Sequence, residues 1–283
     1  MKPKLLFRGN KAEAKRYSLV LLARGIEHEI VPGGKWEIYV GEEAFLKAKE
    51  EIRLYEQENK TLIQNQAHNY YSAEAIFWTM AFLGVLNALL LFVEPKEKLL
   101  IIGAADNVKF SQGEWWRVFT SLTLHQDFGH LMGNLVFTGL FMFFLRPFLS
   151  LGLSWLMIIL SGAIGNSWNL ALHTERHISI GFSTASFGCL GIISVFLAFQ
   201  KKSKRLLLAV GFALAFLGFL GSGGTNVDLG AHFLGLLAGV YLGVLWNLFL
   251  DKSCNYKFSL IGLVAGFSLL VLAWIWAFLN YSA

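Results

Sequence analysis

The sequence predicts an all-α polytopic membrane protein preceded by a small α+β domain, and three observations predict it. Hydrophobic residues make up 55% of the 283 residues and charged ones only 15%, with a mean hydropathy of +0.53; a soluble globular chain carries about a quarter charged residues. The charge is crowded ahead of residue 72, and almost everything after it is apolar. Seven apolar stretches then follow, roughly 73–93, 129–149, 152–172, 180–199, 205–222, 229–250 and 258–279, most of them near the ~20 residues that cross a bilayer.

The front of the chain reads as a βαββα unit. Residues 3–9 suit a short strand, and residues 11–24 have helical spacing and stop at Gly25. Two more strands, around 28–32 and 35–40, are joined by Gly33-Gly34, a strong hairpin signal. Residues 42–59 form a charged amphipathic helix with acidic residues at its start, where they suit the helix dipole. The organisation expected is therefore a domain over 1–59, a linker over 60–72, a six-helix membrane core over 73–250, and a loop with a seventh helix over 251–283. Between the first two apolar stretches, residues 94–128 are too long for a turn and too apolar for a free loop. With Trp115-Trp116-Arg117 and Phe119, they are expected to lie partly in the membrane interface.

Charge gives the orientation. The short loop Lys201-Lys202-Ser203-Lys204-Arg205 belongs on the cytoplasmic side by the positive-inside rule. A cytoplasmic N-terminus puts it there, and Arg146, Lys252 and Lys257 agree. The start, Met1-Lys2-Pro3-Lys4, lacks the apolar run of a signal peptide. The front domain is thus expected in the cytoplasm, and the chain in a bacterial cytoplasmic membrane. The net charge of +5 comes with no basic stripe, so nucleic acid is not expected as a partner. The two cysteines, Cys189 and Cys254, support no disulfide framework.

Polar side chains within membrane spans cost free energy, so each marks a candidate site. The fourth stretch opens with Gly181-Phe182-Ser183-Thr184-Ala185-Ser186-Phe187-Gly188. A membrane serine ordinarily bonds only to a carbonyl one turn back. The sixth carries Asp228, then Ala231-His232, with Gly235 and Gly239 completing a small-residue stripe that permits close helix packing. The second begins with His125, His130 and Asn134, the last two four residues apart on one helical face. Under the orientation above, Ser183, His232, His130 and Asn134 all lie near the outer ends of their helices. Close approach of the fourth and sixth helices would bring a hydroxyl within reach of an imidazole, as a nucleophile and its base require. His130 and Asn134 would then face a developing oxyanion.

At these residues the chain resembles a rhomboid intramembrane serine protease. The family's G-x-S motif is matched by Gly181-Phe182-Ser183, its A-H-x-x-G-x-x-x-G by Ala231-His232 with Gly235 and Gly239, its H-x-x-x-N by His130 with Asn134, and its loop Trp-Arg by Trp116-Arg117. The resemblance covers residues 73–250 and implies a rhomboid-like six-helix core plus a seventh C-terminal helix. It also implies Ser183 as nucleophile and His232 as base, with support from His130, Asn134, Gly181 and Phe187. No cofactor or metal is implied. The implied partners are the lipid bilayer and transmembrane protein substrates whose helices are destabilised near the outer boundary; neither a natural substrate nor an oligomeric state is implied. Two positions depart from the family: Thr184 stands where Gly is usual, and Phe187 where a Tyr ring usually stacks on the histidine. A slightly wider helix spacing, with room left by Ala185, Ser186 and Phe187, is expected to accommodate Thr184.

Three rival readings weigh less. A catalytically impaired rhomboid-like protein that binds membrane clients would normally lack the Ser or the His. A transporter would show internal repeats and an intramembrane acid, whereas Asp228 stands at a helix start, where capping explains it. A zinc protease needs Glu after the first His of H-E-x-x-H, and His173 and His177 lack it; they are expected in a wet outer loop.

Overall fold

The computed structural model describes residues 3–64, 70–199, 227–250 and 258–281, together with Gly211. The chain divides into two compact units, Met1–His68 and Asn69–Ala283. In the first, β1 (Lys4–Gly9), β2 (His28–Val31) and β3 (Trp36–Val40) form an antiparallel sheet in the order β1-β3-β2. The sheet is joined by α1 (Lys11–Ala23) and α2 (Phe45–Gln64). Asn10 starts α1 with a reciprocal capping box to Glu13, and Gly25 at φ +65° ends it. Ala14, Leu21, Ile26, Ile38, Val40 and Ala48 close the small core. The charged helix differs from its expected bounds: Glu42–Ala44 form one 3-10 turn, and α2 then runs to Gln64, past residue 59 and into the expected linker.

The second unit is helical. α3 (Ala73–Val93) is capped by the Ser72 side chain, which accepts the Ala75 N–H at 3.1 Å. It is followed by α4 (Lys96–Gly103), β4 (Ala105–Asp106), α5 (Asn107–Ser111), α6 (Arg117–Thr120), α7 (Phe128–Leu145), α8 (Leu151–Leu172) and β5 (Ile178–Ser179). α9 (Ser183–Phe199), α10 (Leu229–Phe249) and α11 (Ser259–Asn280) complete it. Among the described residues, α3, α7, α8, α10 and α11 are long and apolar enough to cross a membrane, and α9 is a shorter apolar helix. The chain is an integral membrane protein. The expected fifth stretch, 205–222, and the basic residues at 201–205, 252 and 257 lie outside the described residues.

Two helix limits correct the sequence reading. α7 stops at Leu145 and not at 149, because Pro147 has no N–H to continue the helical ladder beyond Arg146, whose own N–H still donates to the Met142 carbonyl at 3.0 Å. α9 starts at Ser183 and not at 180: Ile178–Ser179 pair with Ala105–Asp106 as a short ladder, and Gly181 turns the chain at φ +123°. The interfacial stretch is more ordered than its composition implies. Arg117, 1% exposed, pairs with Glu114 and donates to the carbonyls of Ala104 and Ile101 at 2.8 and 2.9 Å.

Helix packing is tight where small residues meet. A Cβ on Gly235 would overlap the Thr184 carbonyl, and one on Gly239 would overlap that of Gly188. α9 and α10 therefore touch backbone to backbone, as the Gly235/Gly239 stripe predicts. On its other side, α9 packs as closely on α8, where a Cβ on Gly162 would come 2.7 Å from that of Ala185.

Candidate active site

Ser183 is the first residue of α9, and the turn before it is held from the interfacial stretch. The Gly181 N–H donates to the Ser121 carbonyl at 2.9 Å, and Asn166 on α8 holds Ser121 Oγ at 3.1 Å. The Phe182 N–H points to His125 Nε2 at 3.4 Å, while the Phe182 ring is buried against Trp155. Gly is required at 181 for two reasons. Its φ lies in the left-handed half of the map, and a Cβ there would come 2.7 Å from His130 Nε2.

His232 stands on the first turn of α10, 5% exposed. Its Nε2 lies 2.7 Å from Ser183 Oγ, and the Phe187 ring stacks on it at 4.6 Å and 18°. Among the described residues, His232 Nδ1 has no hydrogen-bond partner. Asp228 does not orient the ring. It is the N-cap of α10: Oδ1 accepts the Ala231 N–H at 2.9 Å, and Oδ2 faces His177 Nε2 at 2.7 Å and Asn169 Nδ2 at 2.8 Å. Burial alone would raise the Asp228 carboxyl, but these hydrogen bonds, from the Ala231 N–H first and then from His177 and Ser179, outweigh it and hold the group below its ordinary range.

His130 and Asn134 face the Gly181–Ser183 turn from α7. The Gln126 N–H donates to His130 Nδ1 at 3.4 Å, which leaves the ring hydrogen on Nε2, the nitrogen turned toward Gly181. Asn134 is 8% exposed and its Nδ2 has no partner among the described residues. His125 supports this wall: Nδ1 lies 2.9 Å from Asn87 Oδ1 and its ring meets His130 edge-on at 5.1 Å. Burial first, and the neighbouring His130 second, push the His125 imidazole down to about 3, so it stays a neutral acceptor for the Phe182 N–H. Ser183, His232, His130 and Asn134 line one cavity of about 1210 Å³.

Several arrangements were not anticipated from sequence. His177, expected in a wet loop, is only partly exposed: its Nε2 meets Asp228, its ring stacks on His173 at 3.7 Å, and its N–H donates to Asn107 Oδ1. Arg176 pairs with Asp106 at 2.8 Å, strapping the same loop to β4. Thr184 is accommodated differently from expectation. A Cβ on Gly165 would lie 2.9 Å from its methyl, and one on Gly235 would lie 3.0 Å from it, so the glycines of α8 and α10 make the room, and not the small neighbours on α9. Among the described residues, no group of three His, Cys, Asp or Glu is placed to hold a metal ion.

Fold and site define a polytopic helical membrane protein with a serine and a histidine hydrogen-bonded inside its bundle. The rhomboid domain family model matches residues 112–249. The chain is 31% identical to the "Putative rhomboid protease YdcA" of Bacillus subtilis (strain 168) over 145 residues, covering 49% of this chain and 71% of that one. It is 34% identical to "Rhomboid-like protease 3" of Toxoplasma gondii over 160 residues, 54% of this chain and 60% of that one. It is 29% identical to "Rhomboid protease GluP" of Bacillus subtilis (strain 168) over 150 residues, 51% of this chain and 29% of that one. The chain belongs to the rhomboid family.

Proposed function

We propose that the chain is an active intramembrane serine endopeptidase, with Ser183 as nucleophile and His232 as base. The observation that carries this reading is the 2.7 Å separation of Ser183 Oγ and His232 Nε2 in a buried setting. His232 takes the Ser183 proton as Oγ attacks the scissile carbonyl, giving a tetrahedral oxyanion. The Ser183 N–H, His130 Nε2–H and Asn134 Nδ2–H stabilise that charge; the unpartnered Asn134 donor supports the assignment, because a buried donor without an acceptor is costly unless one arrives during reaction. Collapse breaks the C–N bond, and the imidazolium protonates the leaving amine. Water then attacks the Ser183 acyl ester with His232 as base again, releasing the carboxylate product and restoring the serine. With Asp228 occupied in capping, the pair works as a dyad.

The substrates proposed are transmembrane proteins cut near the outer boundary of the bilayer. A regular helix hides its carbonyls, so a substrate helix must unwind locally there. The front domain is proposed to lie in the cytoplasm. The test is cleavage of a single-span reporter with a Gly-Pro break at its outer end, in detergent. Ser183→Ala and His232→Ala are each expected to abolish cleavage while melting with the wild type. Cleavage by Ser183→Ala at the wild-type rate refutes the assignment, and a folded wild type that binds the reporter without cutting it makes the chain a client-binding rhomboid.

A further inference from the structure

The helix that carries the oxyanion donors is weakly held. α7 turns Val136, Leu140, Phe143 and Phe144 outward, and its buried face is narrow: Asn134, Thr138, Phe141, Met142 and Leu145. On that face Thr138 follows Asn134 by one turn, as Ser186 follows Ser183 by one turn on α9. The two hydroxyls meet at 2.6 Å; Thr138 is 0% exposed and Ser186 3%. Thr138 Oγ1 also donates to the Asn134 carbonyl at 2.6 Å, so the shared hydrogen comes from Ser186. The chain of bonds therefore runs from the nucleophile helix through Thr138 to the peptide of Asn134. Neither hydroxyl depends on the other for an acceptor: without the bridge, Ser186 would turn its hydrogen to the Phe182 carbonyl at 3.2 Å, as Thr138 already donates to that of Asn134. The bond across the helices does something else: it sets their separation one turn below the reacting atoms.

We propose that Thr138 and Ser186 are positioning residues, whose bridge holds the Asn134 amide at the distance from Ser183 that the oxyanion requires. The inference rests on the assignment of Ser183 as nucleophile and Asn134 as donor. If the bridge acts through Asn134, whose peptide it bonds directly, and not through His130 one turn earlier on α7, removing it has little left to spoil once Asn134 is gone. A role in general stability would cost activity in either background.

The test measures kcat and KM on the same reporter for Thr138→Val, Ser186→Ala and Thr138→Ser, the first two also in the Asn134→Ala background, with thermal unfolding alongside. Asn134→Ala alone is expected to lower kcat about a hundredfold. Thr138→Val and Ser186→Ala are each expected to lower kcat about tenfold with KM within about twofold, since misplacement by a fraction of an ångström is enough for that loss. Thr138→Ser recovers most of it. In the Asn134→Ala background neither change lowers kcat further by more than about twofold. A second tenfold loss there, beside a normal Asn134→Ala defect, overturns the bridge and leaves the oxyanion assignment standing. Wild-type kcat in Asn134→Ala overturns that assignment and the bridge with it. Should Thr138→Val fail to fold, Ser186→Ala carries the same comparison, because alanine fits within the space of serine.

Discussion

Replacing Gly235 by Ala should separate the two halves of the proposed dyad. A Cβ at 235 would overlap the Thr184 carbonyl oxygen and lie 3.0 Å from both its carbon and its methyl, against ordinary contacts of about 3.5 Å. α9 cannot retreat, because α8 packs as closely on its far side through Gly162 and through Ser161 against Gly188. α10 must therefore move outward by roughly 1 Å, carrying His232 with it. The 2.7 Å contact to Ser183 would then stretch beyond hydrogen-bonding range. Overpacking of this kind costs about 1–3 kcal/mol of stability, and a misplacement of ~1 Å costs about a hundredfold in rate. Reporter cleavage and thermal unfolding of Gly235→Ala measure both, with Gly84→Ala as control, since a Cβ there would meet Leu135 at an ordinary 3.6 Å. A Gly235→Ala protein that cleaves and melts like the wild type would refute the claimed backbone contact and the dependence of the dyad on it.

Thr184→Gly opens a void between Gly165 and Gly235 and should lower the melting temperature while leaving kcat/KM within about tenfold; an inactive wild type made active by this change would show Thr184 to be inhibitory. Asp228→Ala removes a cap, worth ~1 kcal/mol, and should leave a folded enzyme within about tenfold of wild-type kcat; complete loss would make Asp228 a third catalytic member. Because the Asp228 carboxyl is held below its ordinary range, its stabilisation is full above pH ~4 and is lost as the pH falls through the lowered value, so acid unfolding of Asp228→Asn should be less steep there than that of the wild type. A chain starting at Asn69 should still cleave the reporter, whereas one starting at Ser72 loses the buried Tyr71, whose hydroxyl donates to the Met142 carbonyl at 2.9 Å, and should melt several degrees lower.

What could be read from sequence was what is written locally. Hydropathy marks the long helices, Gly33-Gly34 mark the turn between β2 and β3, and a glycine every four residues after Ala231 marks a face that another backbone can approach. Those features place Ser183 and His232 opposite one another without any coordinates. What was not legible depends on partners far apart in the chain. His177 meets Asp228 across 51 residues and Thr138 meets Ser186 across 48, with no periodicity linking either pair. The start of α9 depends on the Ser121 carbonyl catching the Gly181 N–H, a contact no propensity scale contains. The room for Thr184 comes from Gly165, whose meaning appears only once α8 lies against α9 and α10. The end of α7 is a different case: Pro147 was visible, and apolar residues to either side of it masked a plain stop signal.

The polar groups of the bundle divide by whether they are satisfied at rest. Arg117, Asn166 and Asp228 have their bonds filled by carbonyls, hydroxyls or caps, and they hold the turn before Ser183 and the start of α10 in place. Asn134 Nδ2 and His232 Nδ1 have none among the described residues, and neither do the indole N–H groups of Trp116 and Trp155. In a buried setting each such group costs about 1–3 kcal/mol. Two of these donors belong to residues that the reaction would use, one beside the developing oxyanion and one on the ring that becomes an imidazolium; the two indole N–H groups sit on large apolar rings that the core needs for packing. Asp228 fixes the start of α10 and the Thr138–Ser186 contact ties α7 to α9, so neither reactive donor is free to swing toward another acceptor. Fixed dipoles of this kind favour a charge that appears only in the transition state, and they do so without reorganisation when it appears.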